Sequence, residues 1–236
     1  MSKPTISKKI LLWYDNNKRI LPWRKSTSKE QKLYFTFVSE FMLQQTQVST
    51  VIPYFKRFVQ KIPNFKKLSK TNDQTLMKLW EGLGDYSRAR NLKKSAIMII
   101  GKFGGILPSN FEDLKSLPGV GDYTSTAIMA IAFNQKFIPL DGNVERILKR
   151  VLYLRSNKDL SKENMQISKN FFGLSERASD YAQAIMELGA LVCRPSSPLC
   201  EKCPISINCI SYKRKDFSLI KKQKKIRSNI LRLIFI

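Results

Sequence analysis

Apolar residues recur along most of this chain at the spacing of an amphipathic helix. Examples are Ile10-Leu11-Trp13-Tyr14, Val51-Tyr54-Phe55-Phe58, Leu92-Ala96-Ile99-Ile100 and Ile128-Ile131-Ala132. A period close to 3.6 residues predicts that each segment buries one helical face. The alternation typical of strands is scarce before the last eight residues. We therefore predict an all-α protein, with about ten or more helices joined by short Pro/Gly loops.

Charge indicates what such a protein binds. The 236 residues include 42 Lys and Arg against 18 Asp and Glu, which gives a net charge of +24. This charge attracts polyanions at long range and makes nucleic acid the default partner, although an anionic membrane surface or a lysine-rich composition also explains it. No apolar stretch reaches the roughly 18 residues of a membrane span, so we expect a soluble protein with no membrane partner. The length allows one large domain or two smaller ones.

All four cysteines share one short segment, and they are Cys193, Cys200, Cys203 and Cys209. The spacing C-x6-C-x2-C-x5-C predicts a ligand set for one metal centre. Disulfides are less favoured, because residues 1–9 contain no apolar signal core. Zinc and an iron–sulfur cluster both fit the spacing, and Pro204 after Cys203 favours iron only weakly. The chain has no histidine, so acid–base chemistry falls to carboxylates, phenols or lysines.

A tight turn, Leu117-Pro118-Gly119-Val120-Gly121, precedes a helical run that extends to about Phe133. Two glycines before a helix let the backbone approach an anion, with the free N–H groups of the helix start directed at it. A nucleic-acid phosphate fits this geometry, although the same residues also make ordinary helix connections.

Two acidic residues stand at positions suited to catalysis. Asp141 begins a helix about twenty residues after the turn; it is either a plain N-cap or a rigid carboxylate able to stabilise a developing cation. Glu40 lies in a helix that we expect to begin near Leu33. Its apolar neighbours, including Phe37 and Phe41, favour the protonated form and a general acid, whereas an exposed helical glutamate is the common alternative.

In this order the motifs resemble the helix-hairpin-helix DNA glycosylases of the endonuclease III superfamily, and within it the adenine DNA glycosylases of the MutY type. The residues that carry the likeness are Leu21-Pro22-Trp23-Arg24, Ser39-Glu40, Met42-Leu43-Gln44-Gln45-Thr46-Gln47-Val48, Val51-Ile52-Pro53-Tyr54-Phe55, Leu79-Trp80 with Gly82-Leu83-Gly84, Arg88-Ala89-Arg90-Asn91 and Leu140-Asp141-Gly142-Asn143-Val144. The resemblance extends from about Ile10 to Cys209 and covers most of the chain.

The resemblance implies a monofunctional enzyme that removes adenine mispaired with 8-oxoguanine or guanine. Glu40 would protonate the flipped adenine and later help to activate water, and Asp141 would stabilise the sugar cation. Tyr123 would line the pocket and hydrogen-bond to the carboxylates, and Asn143 would position Asp141. Because Tyr123 occupies the position at which strand-cutting relatives have lysine, the product should be an abasic site.

The same resemblance implies a set of DNA contacts and a cofactor. The residues expected to contact DNA are Gln45, Gly119, Val120, Gly121, Tyr86, Arg88 and Arg24. The four cysteines would hold a 4Fe-4S cluster. The partner would be double-stranded DNA containing a mispaired adenine, bound by a monomer in the cytoplasm of a bacterium and associated with the nucleoid.

The resemblance also implies two helical domains with the DNA cleft between them. Residues 21–133 would form a six-helix domain with the helix-hairpin-helix motif, and residues 6–20 with 136–212 would form the cluster domain. Residues 213–236 would be a basic linker and the start of a missing domain that reads 8-oxoguanine, with a first strand at residues 230–236. One departure from the family is Asp85, which replaces a tyrosine expected to wedge beside the oxidised guanine.

Two other functions stay open at this point. Relatives with the same Tyr and Asp positions remove thymine or uracil opposite guanine. A non-catalytic iron–sulfur protein that only binds DNA is the alternative of another class.

Overall fold

The computed structural model describes residues 5–154 and 161–218, and regular structure in these ranges is entirely helical. The α-helices are α1 (Ile6–Asn17), α2 (Lys29–Leu43), α3 (Val48–Lys61), α4 (Phe65–Lys70), α5 (Asp73–Trp80), α6 (Tyr86–Lys102), α7 (Phe111–Lys115), α8 (Asp122–Ile131), α9 (Gly142–Leu152), α10 (Ser161–Phe172), α11 (Ala178–Leu191) and α12 (Ile210–Lys213). Short 3-10 turns cover Pro22–Arg24, Cys200–Lys202 and Ser206–Asn208. The all-α prediction is confirmed.

Short polar side chains fix where many of these helices begin. Each of seven helix starts has a side chain that accepts a hydrogen bond from a backbone N–H of the first turn, and these caps are Thr5, Ser28, Asn64, Asn72, Asp85, Asn110 and Asp141. The apolar pattern predicted that α2 begins near Leu33. The helix begins at Lys29 instead, because the Ser28 side chain caps a polar first turn. Helix α8 ends at Ile131, slightly before the predicted Phe133.

A first core gathers buried residues between Leu33 and Ala132. Helix α2 lies at its centre, since every residue from Leu33 to Met42 is buried. Phe37, Phe41 and Trp80 are among its largest fully buried side chains. Because buried side chains surround α2, Glu40 lies in an apolar environment.

A second core joins the first helix of the chain to the last ones. Ile10 and Tyr14 of α1 pack there with residues of α9, α10 and α11 and with Cys209. Helix α11 packs against α1 and α9 and also against α8 of the first core. The carboxylates of α2 and of the α9 start both line one cleft, which residues of the two cores share.

None of the helices in the described ranges combines the length and the apolar surface that crossing a lipid bilayer requires. The strand predicted at residues 230–236, and most of the basic linker before it, lie outside the described residues.

Candidate active site

A cleft with a volume of about 620 Å³ is lined by residues that pack on both cores. Glu40 and Leu43 come from α2, Tyr123 from the start of α8, and Asp141 from the start of α9. The cleft thus collects the main residues predicted from the sequence to carry chemistry. Helices α8 and α11 pack against each other, and residues of both line the cleft.

Glu40 is 6% exposed and is buried on the innermost face of α2. Burial and, to a smaller extent, the charge of Asp141 raise the pKa of Glu40 to about 7. A hydrogen bond from Tyr123 and the charge of Arg24 act in the opposite direction. A carboxyl group with this pKa is partly protonated near neutral pH and is able both to donate and to accept a proton.

Tyr123 places its hydroxyl group between the two walls of the cleft. It hydrogen-bonds to Glu40, and it also lies 3.6 Å from the sulfur of Met186 on α11. Burial raises the pKa of Tyr123 well above its ordinary value, and the charges of Glu40 and Asp141 raise it further. The phenol therefore stays protonated and acts as a hydrogen-bond donor.

Asp141 is held rigidly by the start of α9. Its Oδ1 accepts hydrogen bonds from the backbone N–H groups of Asn143 at 2.9 Å and Val144 at 2.7 Å. The Asn143 Nδ2 donates to its Oδ2 at 2.7 Å. The simple interpretation as an N-cap is thus correct in geometry, and it also directs a fixed carboxylate towards the cleft.

A chain of hydrogen bonds links Asp141 to the cysteine segment through a residue that the sequence did not single out. Arg146 donates from Nη2 to Asn143 Oδ1 at 2.8 Å and from Nε to the carbonyl oxygen of Cys193 at 2.8 Å. Gly189 allows α11 to approach here, because a Cβ at this position would lie 2.5 Å from the Asn143 Cβ. The spacing of Asn143 and Arg146 by three positions on one helix face was the available signal.

A second missed residue is Glu187, an acid in the apolar helix α11. It is 1% exposed, lines the cleft, and accepts from Arg24 Nη1 at 2.6 Å and from Arg19 Nε at 3.2 Å. Arg24, expected to contact DNA, is therefore directed into the cleft wall. The signal was an acid placed between two apolar residues, Met186 and Leu188, in the second half of the helix.

The glycine turn predicted to bind phosphate is braced against α2 and α6. Gly119 has φ 81°, and a Cβ there would lie 2.9 Å from both Phe41 and Asn91. Ser95 donates to the Pro118 carbonyl oxygen at 2.8 Å. Val120 is buried, whereas Gly121 is exposed and precedes α8, so the backbone of the turn is what faces outward.

The remaining residues expected to contact DNA differ in exposure. Gln45 is exposed, with φ 56°, and Tyr86 is 40% exposed. Arg88 instead directs its guanidinium group at backbone carbonyl oxygens. Sequence alone gave no indication of this inward orientation, because the carbonyl partners come from the end of α2 and from the loop between α5 and α6.

The cysteines surround one apolar cavity, which is lined by Cys193, Cys200, Cys203 and Cys209. Arg150 is buried beside them and donates to the Cys193 sulfur at 3.4 Å. Burial raises the pKa of Cys203 to about 12, so a positive centre is needed to keep this thiol ionised. In the described ranges, no three Cys, Asp or Glu side chains converge closely enough to hold a single metal ion.

The HhH-GPD superfamily model, described as base excision DNA repair protein, matches residues 38–172. The adenine DNA glycosylase of Rattus norvegicus is 43% identical over 87% of this chain and 41% of its own length. That of Buchnera aphidicola subsp. Schizaphis graminum is 38% identical over 93% of this chain and 64% of its own length. The chain thus spans less than two thirds of these relatives.

Solved structures agree on the fold. A thermostable thymine-DNA glycosylase has a TM-score of 0.77 and 27% identity, covering 88% of this chain and 95% of its own. Endonuclease III in a non-covalent DNA complex has a TM-score of 0.72 at 21% identity, covering 89% of this chain and 94% of its own, which bears on the fold alone.

Proposed function

The chain belongs to the HhH-GPD superfamily of base excision DNA repair proteins, and we propose that it is a DNA glycosylase that hydrolyses the N-glycosidic bond of adenine mispaired with 8-oxoguanine or guanine. The observation that carries this proposal is the pair of carboxyl groups in one cleft. Glu40, with a raised pKa, faces the fixed carboxylate of Asp141. This pair supplies the acid and the anion that base release needs.

Adenine leaves a deoxyribose readily only after a ring nitrogen accepts a proton. Protonated Glu40 donates that proton, the bond between base and sugar breaks, and the electron pair leaves with the base. The positive charge that develops on the sugar lies opposite the Asp141 carboxylate, which stabilises it. Water then adds to the sugar and gives its proton to the Glu40 carboxylate, which restores the starting state.

The cleft is also suited to recognising adenine. The base must leave the helix to reach Glu40, at a cost that is lowest for a mispair. Glu187 lines the cleft, and its carboxylate accepts three hydrogen bonds from Arg19 and Arg24, which leaves acceptor capacity for an exocyclic amine. The identity of 43% to a relative named adenine DNA glycosylase further supports this base over thymine.

We propose that the product is an abasic site in an uncut strand. Position 123 is tyrosine, whose phenol cannot form the Schiff base through which a lysine starts strand cleavage. Both carboxylates come from one chain, so no second copy is needed and we expect a monomer. We also infer that the enzyme acts on chromosomal DNA in the bacterial cytoplasm, and that its two domains comprise residues 21–133 and residues 6–20 with 136–212.

A panel of duplexes tests this function. Each carries one pair: adenine opposite 8-oxoguanine, guanine or thymine, or thymine or uracil opposite guanine. We expect strand breaks at adenine opposite 8-oxoguanine and guanine, and only after alkali. Breaks confined to thymine or uracil opposite guanine would select the sister specificity. Tight DNA binding with no base released from any duplex would select the non-catalytic alternative.

We further propose that the four cysteines hold a 4Fe-4S cluster. Bound there, it would supply a rigid positive centre that keeps the four thiolates ionised and fixes the loop after α11. Arg150, through its hydrogen bonds to the carbonyl oxygens of Arg194 at 2.6 Å and Pro195 at 2.7 Å, would hold the first ligand loop closed.

Cys203→Ala is expected to remove most of the broad visible absorption of the purified protein, because one of four ligands is lost. The unaltered protein should contain about four iron atoms and four acid-labile sulfides per chain. Iron and sulfide analysis with an optical spectrum measures both. A colourless protein with one zinc per chain would contradict the cluster assignment.

A further inference from the structure

Arg88 makes an unusual set of contacts for an arginine on a basic protein. Its Nη1 donates to the carbonyl oxygens of Phe41 at 3.2 Å, Met42 at 3.1 Å and Gln44 at 2.7 Å. Its Nη2 donates to the carbonyl oxygen of Leu83 at 2.5 Å. Four backbone acceptors therefore surround one guanidinium group.

These acceptors belong to two separate segments. Phe41, Met42 and Gln44 form the C-terminal end of α2, where the last carbonyl groups of a helix lack partners within the helix. Leu83 lies in the loop between α5 and α6. Arg88 thus joins the end of the helix that carries Glu40 to a loop about forty residues further along the chain.

The first of these segments borders the cleft that the proposed function assigns to the flipped base. Thr46, in the loop after α2, lines the cleft, and Gln45 beside it is exposed in the left-handed region. The Gln44 side chain donates to the carbonyl oxygen of Gly119 at 3.3 Å, which ties the same loop to the glycine turn. The loop after α2 is therefore held from two sides.

The charge of Arg88 is directed inward. Burial lowers the pKa of Arg88, and its guanidinium carbon lies 5.5 Å from the centre of the Trp80 ring. Arg90, two residues further along α6, is exposed. Because Arg90 lies on the same helix and is exposed, its substitution is a control that removes a positive charge without removing the inward contacts of Arg88.

We propose that Arg88 is a positioning residue for DNA engagement. It fixes the loops at residues 44–47 and 82–85 relative to each other and to the end of α2, and it does not neutralise a phosphate. The inference rests on the proposed function and replaces the expectation, based on sequence, that Arg88 contacts DNA. The fork of N–H groups, which lysine lacks, is what spans both loops.

The test compares Arg88→Gln, Arg88→Lys and Arg90→Gln in the full chain. The dissociation constant is measured at several salt concentrations with a duplex that carries 2′-fluoro-deoxyadenosine, which resists hydrolysis, opposite 8-oxoguanine. Thermal melting by circular dichroism sets a temperature at which every variant is folded. At that temperature, substitution of an arginine that contributes only to the stability of the fold would leave the affinity for the duplex unchanged.

Arg88→Gln is expected to weaken binding by about tenfold to a hundredfold, because misplaced loops lose their contacts, while the slope of log affinity against log salt stays that of the parent. Arg88→Lys should be nearly as weak, since charge alone does not span two loops. Arg90→Gln should reduce the slope by about one if it meets a phosphate.

Two results would overturn the inference. A reduced slope for Arg88→Gln together with full recovery by Arg88→Lys would identify a phosphate contact. Parental affinity in folded Arg88→Gln would leave only a structural role. Failure of the unaltered protein to release adenine is a separate outcome, since it contradicts the proposed function and not the role of Arg88 in holding the loops.

Discussion

Glu40→Gln is expected to lower the rate of adenine release under single-turnover conditions by about 10²- to 10⁴-fold, the range over which a positioned acid contributes. Glutamine preserves the size of the side chain and its place on α2 but cannot donate a proton to the base. Binding of the mispaired duplex should stay within a few-fold of the parent, because Glu40 is buried in the cleft and glutamine keeps the shape of the side chain there.

The pH dependence gives a second measure of the same group. The pKa of Glu40 is raised to about 7, so the acid form, and with it the rate of adenine release, should decline as pH rises through about 7. The raised pKa also disfavours the charged form in the folded state. The contribution of Glu40 to the free energy of unfolding is therefore lost as pH rises from its ordinary pKa of 4.5 to the raised value of about 7. Glu40→Gln removes this loss, so the variant should melt higher than the parent at pH 8 and similarly at pH 4.

A control for this variant is Glu30→Gln, which changes an exposed glutamate in the first turn of the same helix. It should excise adenine at the parental rate. A Glu40→Gln enzyme with parental single-turnover rates, or a parent whose rate is flat between pH 6 and pH 8, would exclude Glu40 as the general acid.

Asp141→Asn is expected to reduce adenine release by about 10²- to 10³-fold, because the negative charge opposite the developing sugar cation is removed. Asparagine keeps an oxygen for the backbone N–H groups of Asn143 and Val144, so the cap of α9 should persist. Its amide nitrogen would meet the Asn143 Nδ2, which is also a donor, so the hydrogen bond at Oδ2 is lost.

The same change should shift the pH profile. The charge of Asp141 raises the pKa of Glu40, so its removal should move the midpoint of the alkaline limb to lower pH. Asp73→Asn, at an exposed position in the first turn of α5, is the matched control and should alter neither rate nor midpoint. An unshifted midpoint in an otherwise folded Asp141→Asn enzyme would show that the two carboxyl groups are not coupled.

The features that could be predicted from the sequence are local ones. The helical period predicted the all-α class, the turn at Gly119 was found where residues 117–121 indicated, and Asp141 caps α9 as its side chain favours. Such features depend on neighbours within a few positions. The cysteine spacing likewise indicated one metal site, although it did not choose between zinc and iron.

The misplaced start of α2 has a local cause, whereas the orientation of two arginines has a distant one. The start of α2 was placed too late because the apolar pattern begins at Leu33, whereas the Ser28 cap allows a polar first turn. The family resemblance assigned Arg88 and Arg24 to DNA contact, which stays a prediction, and in the structure both direct their charges at partners inside the protein. An arginine side chain reaches carbonyl oxygens and acids that no short window of sequence contains.

The sequence by itself determined the helical class, the cap at Asp141, the tight glycine turn and the clustering of four cysteines. Only the tertiary structure decided that Glu40 and Asp141 share a cleft, that burial raises the pKa of the first, and that Glu187 and Arg146 take part in the walls around them. The reason is physical: the protonation state of a carboxyl group is set by the water and charges that distant elements remove or bring close when they pack.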